Sequence, residues 1–168
     1  MVALAFTGAY GGGVAGSMEW LLLAYRMPRE PSTPRIAVWR KLARLGVAKL
    51  GDGLVALPAD ARSQERLEWL ADEVAEAAGE ATLWRGKLTS AAAERALAGR
   101  MAAAVAAEYR ALITAAAEAR QRGPVKRQTV ARLRRELRRI SQRDYFPPPE
   151  RAEARRAVES LASGLVAR

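Results

Sequence analysis

Between Arg120 and Arg143 the chain carries ten basic residues and a single acid, Glu136. Guanidinium groups at that density bind oxyanions, above all the regularly spaced phosphates of a nucleic-acid backbone. On a helical wheel Arg127, Arg132, Arg134, Arg135, Arg138 and Arg139 fall opposite an apolar stripe of Val130, Leu133, Leu137 and Ile140. The pairs Arg134/Arg138 and Arg135/Arg139 stand four apart, where like charges destabilise an isolated helix. Either the face is kept for phosphates, or it is a solvated face enriched by a composition heavy in Arg and Ala. No aromatic residue interleaves these arginines, which points away from base stacking and toward phosphate contact on a duplex. Arg40, Lys41 and Arg44 form a smaller, secondary basic patch.

Other chemistries are closed off by composition. The 168 residues include no Cys and no His, which removes thiol nucleophiles, disulfides, the usual zinc ligands and imidazole acid–base catalysis. The carboxylates offer little in their place. Asp72, Glu73 and Glu76 share one exposed helix face, and Asp52 sits in a turn, where Asp serves local backbone geometry. No pair has the spacing of a metal site or of an acid–base couple. The expectation is a non-enzymatic protein without metal or cofactor. A net charge of +10 and a pI near 10.9 call for a polyanionic partner. Lack of Cys suits a reducing cytoplasm. Glu19 interrupts the apolar leader before it could span a bilayer, so no membrane partner is expected.

These arginines need a scaffold, and the periodicity of the sequence outlines one. Residues 1–18 read as a flexible leader, with Met18 an alternative start. Gly11-x-Gly13-x-x-Gly16 spells a dinucleotide fingerprint, but no helix follows it directly. Trp20–Tyr25 is a near-continuous apolar run, predicted to be a central strand. Thr33 is predicted to cap a helix with Pro34 at its first position. Ile36, Trp39, Leu42 and Leu45 would form that helix's buried face, and Gly46 its end. Val47–Leu50 and Leu54–Leu57 read as a hairpin around Gly51-Asp52-Gly53. A second helix follows from Asp60, with Leu67, Leu70 and Val74 inward and Gly79 as its stop. A last strand covers Ala81–Trp84. The order β-α-β-β-α-β is that of an α+β, ferredoxin-like sandwich over 19–88. Three helices are predicted beyond it, over 89–168: Ser90–Arg122, Val125–Ser141 and Glu150–Val166. Asp144-Tyr-Phe-Pro-Pro-Pro149 separates the last two.

Five stretches in this order carry a family resemblance: Trp20–Pro28, Pro31–Leu42, Leu54–Pro58, Gly79–Trp84 and Ile140–Phe146. Together, over about residues 19–163, they resemble the N-terminal region of the chromate-resistance regulator ChrB. The first half is also similar to the middle domain of PaaX-type repressors and, more distantly, to small CRISPR-associated ferredoxin-like nucleases. The resemblance implies a DNA-binding transcriptional regulator of a chromate-efflux operon, active in stress response. Full-length relatives are expected to carry a second, C-terminal chromate-resistance domain, which residues 1–168 do not include. A protein-interaction or dimerisation module, working as a homodimer or beside a separate chromate-resistance domain, is the alternative. Chromate or another oxyanion is a further candidate ligand for the arginines. A metal-dependent nuclease is the remaining reading. The related nucleases place an Asp at the end of the first strand, where this sequence has Tyr25-Arg26.

Overall fold

The structure is a computed structural model describing residues 18–166, with side chains described through Ser163. The glycine fingerprint at Gly11–Gly16 lies outside the described residues. Nine elements follow in order: β1 (Glu19–Arg26), α1 (Ser32–Leu45), β2 (Ala48–Gly51), β3 (Leu54–Pro58), α2 (Ala61–Glu76), β4 (Glu80–Lys87), α3 (Ala91–Gln121), α4 (Arg127–Ser141) and α5 (Glu150–Val166). The strands form one antiparallel sheet in the order β2-β3-β1-β4. α1 carries the chain from β1 past β3 to β2, and α2 carries it from β3 past β1 to β4, which is the ferredoxin-like arrangement expected.

Strand parity divides the sheet into two faces. Leu21 and Leu23 stand opposite Leu57 and Val55 on β3, under α1 and α2. Lys41 of α1 meets Glu73 of α2 at 2.6 Å, and Gln64 of α2 receives a bond from Arg85 of β4 at 2.6 Å. The other face carries Trp20, Leu22 and Ala56, over which the start of α3 lays Leu97. Trp84, also of this parity, is exposed.

Two expectations for α1 are corrected. The helix is capped by Pro31 without a side-chain bond, and Thr33 and Pro34 sit inside its first turn. Pro is tolerated there because first-turn N–H groups have no helical acceptor. The buried stripe is Val38 and Leu42, whereas Ile36 and Trp39 are 42% and 62% exposed. The latter two border a groove of about 500 Å³ beside the β2–β3 hairpin, with Tyr25, Met27 and Val55. At the end of α2 the left-handed residue is Ala78, not the glycine. Gly79 is needed for another reason: a Cβ there would lie 2.6 Å from the Arg26 carbonyl oxygen.

The hydrophobic interior has two clusters. The first holds the sheet, α1, α2, Leu97, Met101 and Phe146. The second lies among α3, α4 and α5, around Tyr109, Leu133, Ile140 and Val158. α3, 31 residues long and capped by Ser90, belongs to both.

Candidate nucleic-acid interface

α4 begins after the turn at Gly123-Pro124 and has no side-chain cap of its own. What holds it is its apolar stripe: Val130, Leu133 and Ile140 are buried and Leu137 half-buried against the second cluster. Its last turn carries Arg138 and Arg139, cations at the end where the helix dipole favours them.

All six arginines named from the sequence are exposed. At about 100° per residue they do not share one line but fan out. Arg127, Arg134 and Arg138 flank the apolar stripe on one side, Arg135 stands outward, and Arg132 and Arg139 turn to the other side. That last side is partly neutralised. Arg139 grips Glu136 through two bonds, Nε to Oε2 at 3.0 Å and a shorter one from the terminal nitrogen, and lies 3.7 Å from Glu108. Hydrogen bonding from Arg139, helped by the fields of Arg143 and Arg132, holds the Glu136 carboxyl below the usual carboxylate range. The same bond raises Arg139 further. Arg127, Arg132, Arg134, Arg135 and Arg138 make no ion pair with any described residue. Of the secondary patch, Lys41 is committed to Glu73, while Arg40 and Arg44 remain exposed on α1.

The segment after α4 fixes it to the sheet. Arg143 bonds Glu108 and reaches the Ala43 carbonyl at 3.5 Å. Tyr145 donates its hydroxyl to the Leu45 carbonyl at 3.0 Å, and the rings of Phe146 and Trp20 are 5.9 Å apart. Asp144, fully covered, accepts from the Tyr109 hydroxyl at 2.9 Å and pairs with Arg151 at 3.6 Å.

This closure creates a feature that the sequence did not announce. A cleft of about 390 Å³ opens where α4 meets α5 and the start of α2, lined by Arg62, Arg138, Ser141, Gln142, Arg151 and Arg155 together with Leu137. Arg151 and Arg155, four apart on α5, offered a faint signal; Arg62 offered none. Among the described residues no group of three acids could hold a metal ion. None of the described helices is long and apolar enough to cross a membrane.

Residues 35–122, just over half of the chain, match the family described as Protein ChrB, N-terminal. The chain belongs to the ChrB N-terminal family. The match runs from the first turn of α1 through the end of α3. The ChrB-type segment thus contains most of the sheet and the long helix, while β1, α4 and the α5 arginines lie outside the matched span. No curated protein and no solved structure matches the chain.

Proposed function

We propose that this chain is a non-enzymatic, DNA-binding regulator domain, associated with chromate resistance and working in the cytoplasm. It holds duplex DNA through phosphate contacts from α4. Family membership supports the regulator reading. The single observation that carries the DNA reading is the set of five exposed arginines on α4 that have no ion-pair partner among the described residues. A phosphate backbone supplies the missing countercharge, and binding releases its condensed cations. Such contacts position a protein on a duplex without reading bases.

The test is the salt dependence of duplex binding by the full chain, measured by fluorescence anisotropy. Each phosphate neutralised contributes about 0.9 to the log–log slope. Arg134→Ala/Arg135→Ala is expected to lower the slope by one to two such steps, with little change in sequence preference. Unchanged affinity and slope would overturn the reading. A protein-interaction module is the second reading, favoured by Trp39 and Ile36, which stand exposed beside the α1–hairpin groove. Sedimentation that stays monomeric, with and without a separate chromate-resistance domain, would count against it.

A further inference from the structure

The cleft between α2, α4 and α5 brings four guanidiniums together from three elements that are distant in sequence. Two of them have carboxylate partners: Arg151 beside Asp144 at 3.6 Å and Arg155 bonded to Glu159 at 3.0 Å. Arg62 and Arg138 have none among the described residues. Among the described residues no acid lines the cleft, and Ser141 and Gln142 add neutral hydrogen-bonding groups at its wall. The chain thus carries two uncompensated positive charges facing one recess, at the cost of their mutual repulsion.

We infer that this cleft is a second phosphate site, gripping the backbone of the same duplex that α4 holds. The inference rests on the DNA reading above and deepens it by adding a clamp from the sheet half of the molecule. Arg138 is the link. It belongs both to the exposed α4 face and to the cleft, so a backbone lying along Arg134 and Arg138 runs directly into the recess. At about 390 Å³ and open to solvent, the recess has room for a phosphate of the backbone. Guanidinium forks suit this work because each can hold two phosphate oxygens at once. With Arg62 on α2 and Arg138 on α4, the duplex would be held by both halves of the molecule and its orientation fixed relative to the sheet.

The test compares four forms of the full chain in the same salt titration: wild type, Arg62→Ala, Arg156→Ala and Arg134→Ala/Arg135→Ala. Arg62 is exposed on the first turn of α2, so its loss spares the core, and circular dichroism checks that. Arg156, exposed on α5 outside the cleft, controls for the loss of one charge. The expected result is a slope lower by about 0.9 for Arg62→Ala and little change for Arg156→Ala. If Arg62→Ala behaves like Arg156→Ala while the α4 variant still loses slope, the cleft inference falls and the DNA reading stands. If no variant changes the slope, both fall. Calorimetry with inorganic sulfate, without DNA, separates the remaining source of anions. Saturable heat lost in Arg62→Ala, with its duplex slope unchanged, would make the cleft a free-oxyanion site and overturn the clamp.

Discussion

Asp144 is shielded from water on every side, and its two partners only partly make up for that. Tyr109 donates to Oδ2, Arg151 stands at 3.6 Å, and among the described residues Oδ1 has no hydrogen-bond partner. Desolvation therefore outweighs the Tyr109 bond and the Arg151 field, and the carboxyl titrates above its ordinary range. The native state then holds a proton that the unfolded chain has already released. Stability must fall as pH rises from the ordinary Asp value, about 4, to the raised one, and level off beyond it. Asp144→Asn, which keeps an oxygen for Tyr109, is expected to flatten this dependence in urea titrations across pH 4–8. A variant with the same slope as wild type would show that Asp144 is not its source. Glu136 works in the opposite direction: lowered by Arg139, it contributes stability at neutral pH that is lost as pH falls below the usual carboxylate range. Tyr109→Phe removes the hydrogen bond that the Asp144 carboxylate accepts at Oδ2, and it is expected to cost about 1–3 kcal/mol in denaturant unfolding.

At the scale of the element, α1 separates what a sequence encodes locally from what it does not. Period and punctuation are local: the 3.6-residue spacing, Gly46 with its left-handed φ of 71° and the alternation of strands and helices place all nine elements close to where they lie. Facing is not local. Ile36/Trp39 and Val38/Leu42 are both acceptable helical stripes, and only the packing of α1 on the sheet and α2 decides between them. The consequence is measurable. Leu42→Ala is expected to cost about 2–5 kcal/mol, and Trp39→Ser well under half of that, despite the larger side chain. Equal losses in chemical denaturation would restore Trp39 to the core. The same distinction governs the candidate interface. The α4 arginines share one helix and are legible from their spacing, although the pairing of Arg139 with Glu108 on α3 is not. The cleft draws Arg62, Arg138 and Arg151 from separate helices, so no window along the chain contains it.

For the whole molecule, the question is whether two clusters make one cooperative unit. Three connections argue that they do: the unbroken α3, the Tyr145 bond to Leu45, and the contact of Phe146 with Trp20. All four tryptophans, Trp20, Trp39, Trp69 and Trp84, report on the sheet half. Leu133→Ala, fully buried in the other cluster, is expected to cost about 2–5 kcal/mol and to shift tryptophan fluorescence and far-ultraviolet dichroism together. Fluorescence that keeps its wild-type midpoint would mean that the halves melt separately. The contact of Trp20 with Phe146 also bears on how the protein comes off the ribosome. β1 is the first described element to be made, yet both of its sheet neighbours are synthesised after it, and its indole waits for a ring near the far end of the chain. A nascent chain stalled after α3 would still leave the Trp20 ring uncovered on that side. Contacts so distant in sequence form slowly and leave apolar surface exposed meanwhile. The period of greatest risk of misassembly therefore extends over most of translation and closes only when Asp144–Phe146 emerges and seats against the first strand.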